Sequence, residues 1–147
     1  MSIIDKIKQT VESATGLCFY YDTPQTLNMR LDNAPFPCAM LHIVTSGAIA
    51  DENGIIRERL TVEVLFAQKS NLDFDGVQVE ACELDEMKRK AFEWLVYLRT
   101  QARTNGLRLI YTNGTNRYYA TDDAIFSAYG VNVTLEEIEG VSKCNTK

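Results

Sequence analysis

The chain has 147 residues, 46 % hydrophobic and 24 % charged, the composition of one ordinary globular domain rather than of a disordered or fibrous chain. Fifteen Lys+Arg against twenty Asp+Glu leave a net charge of −5, which argues against a nucleic-acid or anionic-membrane binder working through a basic face. At this length roughly 70 % of the extended-chain surface is buried on folding, enough for a core without metals or disulfides.

Residues 3–15 read as a short amphipathic helix. Ser2 can cap it, Ile3, Ile4, Ile7, Val11 and Ala14 share one face, and Gly16 is placed to end it in a left-handed turn. Cys18–Tyr21 reads as a short strand. Residues 22–37 hold all three prolines, Pro24, Pro35 and Pro37, and read as a long loop of the kind that makes contacts. Ala39–Val44 is a second strand, and a loop over 45–54 ends in Asn53-Gly54. In the strand that follows, Leu60, Val62, Val64 and Phe66 alternate with Arg59, Thr61, Glu63 and Leu65. Asn53-Gly54 supplies the turn chemistry to pair these two strands as a hairpin.

Residues 77–103 carry Leu84, Met87, Ala91, Trp94, Leu95 and Leu98 at three- and four-residue spacing, the stripe of one long amphipathic helix, and Asn105-Gly106 stops it. Leu107–Tyr111, a tight Asn113-Gly114 turn and Arg117–Ala120 suggest a second hairpin. Residues 124–138 alternate as a last strand in which Gly130 marks a bulge. The expected fold is α+β: a mostly antiparallel sheet packed against one long amphipathic helix, with a short N-terminal helix. It forms a single domain over residues 1–138, and 139–147 make a loose tail.

Catalytic patterns are scarce. His42 is the only histidine; Cys38, four residues away on the same strand, lies about 13 Å from it, so the two cannot pair and His42 reads as a satisfied strand histidine. Asn71–Gly76 resembles the opening of a calcium loop, but Asn71 replaces the first acid and Cys82 stands where the bidentate glutamate belongs, so it reads as a polar loop. Asp122-Asp123 read as turn residues. Cys18, Cys38, Cys82 and Cys144 show no metal-ligand spacing and read as reduced thiols. No signal peptide or membrane span is expected in this sequence, and no cofactor or metal is called for. Lys88-Arg89-Lys90, beside Asp85 and Glu86, reads as a solvated helix face. With Arg99, Arg103, Arg108 and Arg117 it is the chain's one basic concentration, and an acidic edge of a neighbouring subunit is the partner it would suit.

Taken in order, the helix 3–15, the loop closing on Pro35-Phe36-Pro37, the hairpin around Asp51–Gly54, the helix 77–103 and the closing strand Gly130–Glu137 resemble the small tail-terminator and tail-completion proteins of tailed bacteriophages, or related head–tail connector and neck proteins. The match is of element order and length over nearly the whole chain, with no signature motif. The resemblance implies a non-enzymatic structural protein of the virion, made in the cytoplasm of a host bacterium. Its copies would form a ring at the head–tail junction or tail end, in contact with tail-tube or connector proteins. The candidate subunit-interface residues are then Asp51, Glu52, Arg57, Arg59 and Glu63 of the first hairpin and Arg99 and Arg103 at the end of the long helix. Two other classes stay open. One is a small ligand- or peptide-binding module, which a deep pocket lined by Trp94, Tyr20 or Tyr111 would favour. The other is a hydrolase-type enzyme with a carboxylate site at Asp73 and Asp75 or at Asp122 and Asp123.

Overall fold

A computed structural model describes residues 2–21, 36–69, 76–118, 126–139 and 141–142. Their order is helix α1 (Ile3–Thr15), β1 (Cys18–Tyr20), β2 (Cys38–Glu52), β3 (Ile55–Lys69), helix α2 (Gly76–Thr100), a 3-10 helix (Ala102–Asn105), β4 (Leu107–Tyr118), β5 (Phe126–Glu137) and β6 (Val141–Ser142). The strands form one sheet in the order β1-β2-β3-β5-β4, with β6 beside β3. Only the β1–β2 pair is parallel; every other pairing is antiparallel. The fold is α+β, and its sheet is mostly antiparallel.

Local chemistry sets the helix ends. The Asp5 amide donates to Ser2 Oγ at 3.2 Å, and Gly16, at φ 72°, closes the other end of α1 with its amide on the Glu12 carbonyl. The stripe of α2 is buried at Leu84, Met87, Ala91, Trp94 and Leu98. It does not cover the sheet alone, as the sequence suggested. Ile3, Ile7 and Val11 of α1 join the same core, against Leu41 of β2, Val62, Val64 and Phe66 of β3, and Val131, Val133 and Leu135 of β5. Trp94 locks the two helices together by donating from Nε1 to Thr10 Oγ1 at 2.9 Å, since a buried indole N–H needs an acceptor.

Three segments differ from the sequence expectation. The loop expected over 45–54 is strand: β2 runs unbroken to Glu52 and pairs with β3 as far as Glu52↔Ile55. The turn is confined to Asn53 and Gly54, at φ 54° and 77°, as a two-residue hairpin turn requires. Thr45-Ser46-Gly47-Ala48 lacks the bulky residues that mark a strand, and pairing to β3 overrides that weakness. The expected helix end at 103 falls instead at Thr100, and a 3-10 turn follows. The second hairpin does not exist. β4 is one strand paired with β5 throughout, and Asn113-Gly114 makes a bulge within it: Thr112 faces Val133 and Gly114 faces Asn132, so Asn113 is the extra residue. Of the tail, Val141 and Ser142 pair with Ile56 and Ile55.

Replacing Trp94 by Ala would remove a fully buried ring and its hydrogen bond to Thr10, whose hydroxyl keeps only its bond to the Ile7 carbonyl; a loss of about 3–5 kcal/mol is expected. The shift of the urea midpoint at constant slope measures it.

Candidate functional site

The sheet face away from the helices carries an unusual load of charge. Glu136 and Glu63 are 1 % and 2 % exposed, and a carboxylate that far from water must find its partners inside the protein. Glu136 lies between Arg59 of β3 and Arg108 of β4, both its direct cross-strand partners. Arg59 donates to its Oε2 from Nε at 3.1 Å and Nη2 at 2.6 Å, and Arg108 Nη2 reaches Oε1 at 2.7 Å. Burial pushes the Glu136 pKa up, but the Arg59 hydrogen bonds and the two guanidinium charges outweigh it and hold the carboxyl below its usual range. One step along the ladder Thr61 Oγ1 meets Thr134 Oγ1 at 2.8 Å, and Asn113 Nδ2 donates to Thr134 Oγ1 at 3.2 Å.

Glu63 gathers His42, Tyr118 and Asn116. His42 Nδ1 lies 2.6 Å from Oε1, Asn116 Nδ2 donates to Oε2 at 2.8 Å, and the Tyr118 hydroxyl lies 2.9 Å from both oxygens. The His42 and Tyr118 rings meet edge to face with centroids 5.6 Å apart. His42 is the extra residue of a bulge in β2, between Leu41↔Val64 and Ile43↔Glu63. Gly130 sits directly beneath: a Cβ there would lie 2.8 Å from Glu63 Oε2 and 2.9 Å from Leu65 Cδ2. The pairing is regular at Gly130 on both sides, so this glycine marks a close approach and not the bulge that the sequence suggested. The Tyr118 hydroxyl is pushed up to about 12 by its burial, its hydrogen bond to Glu63 and the Glu63 charge.

At the end of the sheet where Glu136 lies, two adjoining clefts open. One, of about 350 Å³, runs between the C-terminus of α2 and the start of β4, with Leu98, Arg99, Arg103, Leu109 and Tyr111 in its walls. The other, of about 220 Å³, has Glu52, Arg57, Arg103, Arg108 and Glu136 around it. Both are open to solvent. Trp94 lines neither cleft and lies in the core.

The seven expected interface residues therefore separate. Glu52, Arg57 and Arg103 border one cleft, Arg99 and Arg103 the other, and Asp51 is exposed at the end of β2. Arg57 is tied down by Nε on the Ile138 carbonyl at 2.9 Å. Arg59 belongs to the Glu136 pair. Glu63 is buried, its carboxylate held by His42, Asn116 and Tyr118. His42 is a satisfied strand histidine, with Glu63 as the satisfying group. The sequence alone does not single out Glu136, Tyr118 or Asn116; alternation places Glu136 and Glu63 on one face, but only the strand order β3-β5-β4 brings their partners beside them. On α2, Arg89 pairs with Glu86 and, at 2.8 Å, with Glu93, the solvated face anticipated for that cluster. The acid pairs Asp73/Asp75 and Asp122/Asp123 and all of the calcium-like loop Asn71–Gly76 except Gly76, which begins α2, lie outside the described residues, among which no group of His, Cys, Asp and Glu suits a metal ion. No described helix is long and apolar enough to cross a membrane. No family model matches the chain, and comparison with curated proteins finds no match.

Two outcomes check the Glu63 cluster. Gly130→Ala, which drives a methyl into Glu63 and Leu65, is expected to cost about 1–3 kcal/mol in denaturant unfolding. A tyrosine held protonated in the fold and released at its ordinary pKa of about 10 when unfolded makes stability fall as pH rises from about 10 towards 12. Absorbance titration should show a late-ionising tyrosine, and Tyr118→Phe should abolish that late step.

Proposed function

We propose that this chain is a non-enzymatic assembly subunit of a tailed-phage virion, whose copies close into a ring at the tail end or head–tail junction. The observation that carries the reading is the β2–β3 ribbon. β5 pairs with β3 from Arg59 onward, so residues 47–58 run on as two strands past the main sheet, with β6 touching only Ile55 and Ile56. Ile49 is 74 % exposed and Ile56 39 %, an apolar surface that a monomer gains nothing by displaying and a neighbour can cover. The acidic balance suits a ring around DNA, since such a subunit must let the duplex pass without holding it. The two charge-bearing clefts lie at the same end of the sheet as the ribbon, so one end of the subunit holds both an arm and a place for another's arm.

Light scattering across concentration and salt tests the reading. A discrete multiple of 16.6 kDa, ring-shaped in negative-stain images, is the expected result. A chain that stays monomeric alone and also fails to bind isolated phage tails would overturn it.

A further inference from the structure

We infer that the exposed ribbon tip of one copy docks into the arginine-walled cleft between α2 and β4 of the next. This inference rests on the assembly reading for its partner, and on the two surfaces themselves for its geometry.

The tip presents one coherent face. In an antiparallel pair, direct partners point to the same side, so the pairings Ile49↔Glu58 and Asp51↔Ile56 place Ile49, Asp51, Ile56 and Glu58 together. That side continues the helix-covered face of β3 (Leu60, Val62, Val64), and both isoleucines are exposed there. Glu58 is exposed and has no ion pair with any described residue. The tip is thus an apolar patch carrying an unneutralised acid.

The cleft is its complement. Leu98, Leu109 and Tyr111 make its apolar part, and Tyr111 is 53 % exposed. Arg99, from the last turn of α2, and Arg103, from the 3-10 helix, stand at its rim. Both are exposed, and neither pairs with an acid among the described residues. Arg108 is different, since Glu136 already holds it. Two free cations over leucine and tyrosine side chains ask for an anion attached to an apolar body, which is what Ile49, Ile56 and Glu58 offer. Strand addition to β4 is not the mode of contact. The bulge at Ile110, between Leu109↔Leu135 and Tyr111↔Thr134, distorts the edge there, as edge strands do when they avoid pairing. Side chains would carry the contact.

Tip and cleft are different surfaces, so the contact is heterologous: every copy gives its tip to one neighbour and its cleft to another. Such contacts build rings or open chains and never stop at a symmetric dimer. That property supplies the test. A cleft variant, Arg99→Glu with Arg103→Glu, keeps an intact tip; a tip variant, Ile49→Lys with Glu58→Arg, keeps an intact cleft. Each alone is expected to associate at least about tenfold more weakly than the unaltered chain, because like charges now meet. Mixed, they should associate again with the two variants alternating, because an intact tip meets an intact cleft and the basic tip of one variant meets the acidic cleft of the other. That restored association also shows both variants to be folded. Should either variant assemble like the unaltered chain, or the mixture stay monomeric while the unaltered chain assembles, the contact is overturned and the assembly reading stands. An unaltered chain that is monomeric at every concentration also overturns the contact; binding to isolated tails then decides the assembly reading separately.

Discussion

Burying two carboxylates on the helix-free face of a sheet is the constraint from which much of this structure follows. An unpaired charge at that depth costs several kcal/mol, and losing a single partner of a buried pair typically costs 3–5 kcal/mol. Glu136 is satisfied only when Arg59 and Arg108 stand opposite it on both flanking strands. Glu63 is satisfied only when a residue of β2 and two of β4 reach across to it. A one-residue slip of any of these strands would turn the partners to the other face. The apolar core under the helices favours the same register, but hydrophobic contacts between Val, Leu and Phe are forgiving of small errors. The polar ladder is not, and it selects one alignment of β2, β3, β5 and β4.

The bulges belong to the same device. All four interruptions of register lie on β2 and β4, at His42, Thr45, Ile110 and Asn113, and the β3–β5 pairing at the centre has none. An extra residue lets a strand re-aim a side chain that regular alternation would misplace. His42 is such a residue and its ring meets Glu63; Asn113 is another and its amide meets Thr134. The outer strands are thus bent onto a straight central pair, and polar groups at the bends close the ladder. Gly130 completes the arrangement, because the Glu63 carboxylate occupies the space a side chain would take.

What could be read in the sequence divides along physical lines. Helix α1 was legible at both ends because cap residues act locally, as with Ser2 and Gly16. The α2 stripe was legible because a long helix repeats its period. The alternation of β3 and β5 was legible as strands with one apolar face, and the hairpin turn was carried by Asn53-Gly54. Asn113-Gly114 has the same composition and plays a different part. A dipeptide that tolerates left-handed backbone serves a turn or a bulge equally, and the choice is made by the neighbour: β5 continues past Asn113 on both sides, so the chain cannot reverse there. The polar ladder was illegible for a related reason. Arg59, Glu136 and Arg108 are 77 and 28 residues apart in pairs, and nothing in their local sequence says that β5 lies between β3 and β4.

The same logic separates the residues that hold this subunit together from those left over for a partner. Arg59, Arg108, Glu63 and Glu136 are charged, and all are consumed internally, so their charge is no sign of an interface. Arg99, Arg103 and Glu58 are equally ordinary in sequence, yet they end beside exposed Ile49, Ile56 and Tyr111 with no described partner. The central strands spend their polar groups on register, and the ribbon leaves two isoleucines exposed. Unneutralised charge beside uncovered apolar surface therefore collects at one end of the molecule, and a neighbouring copy can satisfy both at once.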